Sequence, residues 1–201
     1  MIKQGTPEWF AMRVGKITAS RIADVLAKGK NGESLTRAKY KAQIVAERLT
    51  GVSQEDGYES EAMRRGTEKE PVARMAYEAE TGVFVDQVAF VSVGSFGCSP
   101  DGLVGADGGI EIKCPNTATH IRWIADGKVP AEHQKQMMWC MAVTGRKWWD
   151  FVSFDDRVPD DLRLFVRRLD YDADLTAEMR KAAHAFDAEC EEMLAALKAA
   201  A

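Results

Sequence analysis

The chain has 201 residues, 46% apolar and 29% charged, a balance that fits a soluble globular protein and excludes a disordered or membrane-embedded one. The length suits a single domain over residues 1–201. No apolar run reaches a membrane span, and the first residues lack the basic-then-apolar pattern of a secretion signal. The net charge of −4 is uneven: residues 10–50 carry nine Lys/Arg against three Asp/Glu, a local +6 that leaves −10 on the remainder. That is either the footprint of a localised polyanion site or simply the exposed faces of two helices.

Pro7-Glu8-Trp9-Phe10 opens a short helix that reaches Arg13, with Gly15 as its terminator. Thr18-Ala19-Ser20 then caps a second helix through about Leu26, and Gly29-Lys30-Asn31-Gly32 makes a mobile turn. Residues 36–50 space Tyr40, Ile44, Val45 and Leu49 as an amphipathic helix closed by Gly51, and the polar residues 52–60 read as a loop. A further helix runs from Ser60 to Glu80, where Pro71 either kinks it or marks a fresh first turn. Residues 83–92 alternate and are rich in Val and Phe, so one strand is expected there. Residues 96–99 lead into a loop around Asp101, followed by a strand over 109–114. Helices over 117–127 and 130–143, strands over 148–154 and 163–169, and an alanine-rich helix with an acidic face over 176–200 complete the chain. This order predicts an α/β fold, a small mixed β-sheet flanked by helices. No GxGxxG or GxxxxGK[ST] sequence supports nucleotide binding. The cysteines at 98, 114, 140 and 190 are scattered, which suggests neither zinc nor disulfides and fits a reducing cytoplasm.

Residues 99–115 carry the strongest chemical signal. Pro100-Asp101-Gly102 presents a carboxylate on a tight loop, a glycine-rich reversal follows, and Ile110-Glu111-Ile112-Lys113 forms a strand. The strand period of two puts Glu111 and Lys113 on one face and the isoleucines on the other, in a core. Because that second face is apolar, the strand is expected inside a sheet, and Cys114-Pro115 ends it. Two carboxylates and an amine at one spot suit a hard divalent cation and an attacking water. The alternative is a solvated edge strand with a weak Glu111–Lys113 ion pair.

Three other groups accompany it. Glu70 is one of several carboxylates on its helix, and residue chemistry alone does not single it out. Gln136, in His133-Gln134-Lys135-Gln136, either orients a water or phosphate oxygen or is a surface amide. Arg13 with Thr18 and Ser20 places a cation beside two hydroxyls near a helix start, a combination that binds phosphate; Ser20 is equally read as a plain N-cap.

Taken together, Trp9-x-x-x-Arg13, Ile17-Thr18-Ala19-Ser20, Gly66-x-x-x-Glu70, Ser99-Pro100-Asp101-Gly102, Glu111-Ile112-Lys113-Cys114-Pro115, Gln136 and Val143-Thr144-Gly145 resemble the lambda exonuclease family, the YqaJ-type viral recombinase nucleases. The resemblance spans about residues 4–155. It implies the restriction-endonuclease-like core of the PD-(D/E)xK nucleases and 5′-to-3′ digestion of one strand of duplex DNA, leaving a 3′ overhang for annealing. It implies two Mg²⁺ ions, replaceable by Mn²⁺, held by Asp101, Glu111 and the backbone carbonyl of Ile112. Lys113 matches the lysine that activates and orients the attacking water, Glu70 a helical carboxylate completing the metal site, and Gln136 a catalytic-site amide. Arg13, Ser20 and Ser99 match a pocket for the 5′-terminal phosphate. A homotrimeric ring around DNA and a single-strand annealing partner are also implied, with no membrane involvement. An endonuclease of the same fold would use the same metal residues, and a silent DNA-binding or scaffold module would keep only the fold. The clustered cysteines of the iron–sulfur nucleases are absent.

Overall fold

The computed structural model describes residues 2–30, 32–55 and 60–200. Helix α1 (Pro7–Arg13) begins where the Thr6 hydroxyl accepts from the Trp9 amide, with Pro7 in its first turn. Strand β1 (Ile17–Thr18) follows. The helix expected after it is a 3₁₀ turn (Ala19–Arg21) leading into the single-turn α2 (Ile22–Val25), and neither start has a side-chain cap. The Ser20 hydroxyl meets that of Thr18 at 3.2 Å instead, which corrects the N-cap reading. Strands β2 (Lys28–Gly29) and β3 (Gly32–Glu33) pair antiparallel; Asn31 of the expected turn lies outside the described residues.

Helix α3 (Leu35–Thr50) is capped by Ser34 and closed by Gly51 in the left-handed region. Residues 52–55 are loop, and 56–59 of the expected 52–60 loop lie outside the described residues. Helix α4 (Glu61–Thr81) contains Pro71 in its interior, not at a fresh first turn. The single strand expected over 83–92 is two, β4 (Val85–Asp86) and β5 (Val91–Val93). Between them Gln4 donates to the Val88 carbonyl and Trp9 to that of Ala89, taking acceptors that a continuous strand would spend on a neighbour. Strands β6 (Phe96–Cys98), β7 (Gly102–Val104) and β8 (Gly108–Lys113) come next. They precede α5 (Thr117–Asp126), α6 (Ala131–Thr144), β9 (Trp148–Phe154), β10 (Leu164–Asp170) and α7 (Ala173–Ala199). Helix α7 starts earlier than expected because the Asp172 carboxylate caps the Leu175 amide.

The strands form a five-stranded mixed sheet in the order β10-β9-β8-β7-β4 and a three-stranded sheet in the order β1-β6-β5. In the larger sheet β8 and β9 are parallel, and the other pairs are antiparallel. The interior placement of the Glu111 strand follows the expectation. Register sets Gly108 and Gly109 beside Trp148 and Trp149. A Cβ on Gly109 would come within 2.4 Å of the Trp149 ring, so only glycine admits that indole. One face of the sheet packs Ile110, Ile112, Val152 and Phe154 against Ala73 and Tyr77 of α4. The opposite face packs Trp149 and Phe151 into a cluster with residues of α3, α6 and α7.

Three of the nine Lys/Arg of residues 10–50 find their counter-charges in the last helix. Arg37 and Lys41 of α3 bind Glu189 of α7, and Arg48 binds Asp187 and Glu191. The acidic face of α7 thus covers Arg37, Lys41 and Arg48 on α3, so these three form neither an exposed helix face nor part of a polyanion footprint. No described helix is long and apolar enough to cross a membrane.

Candidate active site

Strand β8 delivers Glu111 and Lys113 to one face, as the alternation requires, and α6 brings Gln136 over them. Glu111 is 1% exposed. Its Oε1 accepts from Lys113 Nζ at 2.7 Å and from Gln136 Nε2 at 2.8 Å. Its Oε2 is buried with no hydrogen-bond partner among the described residues. Asp101 enters from the bend before β7, and its Oδ2 accepts from the Ile112 amide at 2.6 Å. The catalytic-site candidates thus form two bonded sets, Asp101 with Ile112 and Glu111 with Lys113 and Gln136, held together by the β8 backbone.

The electrostatics are those of a site short of positive charge. Burial first, and the neighbouring Glu111 charge second, push the Asp101 carboxyl well above its ordinary range. Burial opposes the Lys113 ammonium, but Glu111 and Asp101 more than offset it and hold that group charged. An unpartnered, desolvated carboxylate oxygen beside a second strained carboxyl is a donor set that fits a hard cation.

Glu70 lies apart from that pair in its bonding. Its carboxylate accepts from Arg74 one helical turn further along α4, and burial raises its protonation range. No group of three His, Cys, Asp or Glu side chains among the described residues stands ready to hold a metal. Glu70, Arg74, Pro100 and Asp101 nonetheless line one cleft of about 490 Å³ together with Lys3 and Gln4. Arg74 is a residue the sequence reading missed; its i,i+4 spacing from Glu70 was the available signal.

The second cluster is built on α1 and the three-stranded sheet. Arg13 is 7% exposed, and its Nη1 donates to Ser99 Oγ at 3.2 Å. Trp9 Nε1 donates to the same oxygen at 2.9 Å, and the Arg13 guanidinium sits 4.2 Å from the Trp9 ring centre. Arg13 and Ser99 are thus brought together. Ser20 is exposed and bonded to Thr18, not to either of them. Glu55, which no sequence pattern marked, accepts from Arg13 Nη2 at 2.6 Å and from Nε at 3.1 Å. Ser99 follows β6 of one sheet and Asp101 precedes β7 of the other, so the connector Ser99-Pro100-Asp101 links the two clusters.

With this geometry in place, similarity to known proteins can be stated. The YqaJ-like viral recombinase domain matches residues 8–147. The crystal structure of an alkaline exonuclease (LHK-Exo) from Laribacter hongkongensis is 49% identical, with a TM-score of 0.87 over 96% of each chain. LHK-Exo in complex with dAMP superposes at 0.88 with the same identity and coverage. A phage-related exonuclease from Haemophilus somnus 129PT shares the fold at 15% identity, with a TM-score of 0.71 over 90% of this chain and 96% of that one. No curated protein matches the chain.

Proposed function

The chain belongs to the YqaJ-like viral recombinase family, and on that premise we propose that it is a DNA exonuclease working 5′ to 3′. It removes one strand of a duplex from a 5′-phosphorylated end and leaves a 3′ overhang for recombination by strand annealing. The observation that carries this reading is the connector between the two clusters. One residue, Pro100, separates Ser99, bonded to Arg13, from Asp101, bonded to the Glu111 strand. Two steps of extended chain span about 7 Å at most. That is the scale of one nucleotide, which supports an end phosphate at Arg13 with the scissile phosphate toward Asp101.

Asp101, Glu111 and the Ile112 carbonyl would hold Mg²⁺, with Glu70 completing the site and Mn²⁺ able to substitute. When bound, the ions supply Lewis acidity toward phosphate and a more acidic water. Lys113, held charged beside Glu111, orients the attacking water and offsets negative charge growing on the phosphate. Gln136 fixes the Glu111 carboxylate in place through its amide hydrogen bond. Arg13 and Ser99 grip the 5′-phosphate through charge-assisted bonds, and the family resemblance adds the Ser20 hydroxyl to that grip.

Digestion of end-labelled linear duplex, with and without 5′-phosphate and with and without Mg²⁺, tests this against a covalently closed circle. Metal-dependent loss of the 5′-phosphorylated strand with an intact circle is expected. A linearised circle would make the protein an endonuclease, and no hydrolysis with any divalent ion would make it a silent DNA-binding module. The family resemblance also supports a homotrimeric ring and an annealing-protein partner. Sedimentation equilibrium checks the ring, and a monomer at micromolar concentration removes it.

A further inference from the structure

Resting on the assignment of Arg13 to the strand end, we propose that Glu55 is a specificity-determining residue: an internal anion that occupies Arg13 and that only a phosphate can displace. The guanidinium offers a planar fork at Nε and Nη2, the edge that meets a phosphate through two parallel bonds. Glu55 Oε1 takes both donors of that edge, at 3.1 and 2.6 Å. The remaining Nη1 already donates to Ser99. In this state the candidate phosphate grip is closed by a carboxylate.

The contact is built in, not a chance surface pair. Glu47 of α3 is 3% exposed, and its two oxygens anchor both partners' surroundings. Oε2 accepts from the Gly15 amide at 2.8 Å, two residues beyond Arg13. Oε1 accepts from the Gln54 amide at 3.0 Å, immediately before Glu55. One buried carboxylate therefore fixes the end of α1 and the loop that aims Glu55 at it. The Glu55 side chain keeps 25% of its surface exposed against 8% for Arg13, so Glu55 is the partner with a path outward to water.

The chemistry decides what can take its place. A phosphate monoester brings up to two negative charges and three acceptor oxygens. A 5′-hydroxyl end brings no charge and leaves the Arg13–Glu55 pair intact. In each turnover the oxygen of water joins phosphorus, its hydrogen goes to the departing 3′ oxygen, and the shortened strand keeps a new 5′-phosphate. The released mononucleotide still carries the old 5′-phosphate in the grip of Arg13. Return of Glu55 to Arg13 drives it out, so Glu55 trades affinity for release.

The test uses the whole protein in EDTA, where no hydrolysis occurs, with dAMP and with duplexes carrying a 5′-phosphate or a 5′-hydroxyl as probes. Glu55→Gln is isosteric and keeps an acceptor for Arg13, and Glu55→Ala removes the acceptor altogether. Both variants are expected to bind dAMP and the 5′-phosphorylated duplex more tightly, on the order of tenfold, with the 5′-hydroxyl duplex unchanged. In Mg²⁺, KM for phosphorylated ends and kcat should fall together as release slows. Equal or weaker phosphate binding by both variants overturns the proposal. Arg13→Gln separates the two levels. If it abolishes phosphate preference while the Glu55 variants bind no tighter, the role of Glu55 alone fails. If the preference survives Arg13→Gln, the strand-end assignment fails and the proposal falls with it.

Discussion

Two sets of buried carboxylates stand at opposite ends of one physical scale. Asp155, fully buried just after β9, accepts from Thr117 at 2.6 Å, from Arg157 Nε at 2.7 Å and from Arg65 at 3.2 Å. Burial would raise its protonation range, yet Arg157 and Thr117 reverse that and hold the group well below the ordinary aspartate value. Its demand for donors is met, and through the Arg157 bond to the Pro115 carbonyl it ties α4, α5 and the exit of β8 together. The Asp101 carboxyl is pushed the other way, and one oxygen of the neighbouring Glu111 has no partner among the described residues. Burial alone does not separate a structural acid from a functional one. The count of donors does, and a buried carboxylate left short of them suits the cation that the proposed function assigns to it.

The largest effect should come from the unsatisfied set. Asp101→Asn and Glu111→Gln are expected to lower Mg²⁺-dependent hydrolysis by on the order of 10³-fold or more. Lys113→Ala should match that loss while sparing metal affinity measured by calorimetry. The same Asp101→Asn change should raise the melting temperature of the metal-free protein by a few degrees, 1 kcal/mol being roughly 2–4 °C at this size. The sign follows from linkage. A folded-state value raised above 3.8 means stability is lost as pH climbs from 3.8 toward the raised value, so the ionised group is a liability at neutral pH. A melting temperature that falls in Asp101→Asn would place Asp101 with the structural acids.

Asp155→Ala sharpens the contrast from the other side. It leaves Thr117 and Arg65 without their shared acceptor, and about 3–5 kcal/mol of stability should disappear in urea titration whether or not Mg²⁺ is present. Loss confined to the metal-loaded protein would mean that Asp155 serves the metal site. Next in size is Arg13→Ala. Removing a charged partner worth about 1.5–3 kcal/mol per bond should slow digestion of 5′-phosphorylated duplex by roughly 10- to 150-fold. Digestion of 5′-hydroxyl duplex should hardly change, and equal slowing of both would reduce Arg13 to a structural ion-pair partner.

What was legible in the sequence follows the same division. The Glu111–Lys113 face was readable because a strand has a fixed period and Pro115 marks its end. The bonded neighbours Asp101 and Gln136 came from motif order, not from physics, since nothing local says that α6 crosses above β8. The break of 83–92 into β4 and β5 was hidden because its cause lies in Gln4 and Trp9, about eighty residues away. Strand β7 was hidden because glycine at 102 reads as a turn. In the fold that glycine lets β4 approach, a Cβ there coming within 2.0 Å of Val85. Glu55 had no signal at all, being one acid in a polar loop. The basic run over 10–50 read as one feature, yet Arg37, Lys41 and Arg48 take their counter-charges from α7 at the far end of the chain.

That last pairing gives the smallest expected effect and a final check on the idea of satisfied acids. Hydrogen bonds from Arg37 pull the Glu189 carboxyl from 4.5 down to about 2, against the opposing effect of burial and with help from Lys41. A depressed folded-state value means the stabilisation is complete above 4.5 and is lost as pH falls from there through about 2. The Glu189 side chain is 38% exposed, so water and salt screen the pair and its worth is below about 1 kcal/mol. Glu189→Gln should therefore melt slightly below the parent at pH 7, and the gap should close as pH approaches 2. Adding 1 M salt at pH 7 should shrink it as well. A gap that persists at both extremes would show that Glu189 acts through packing of α7 on α3, and donor saturation would then not be what marks it as structural.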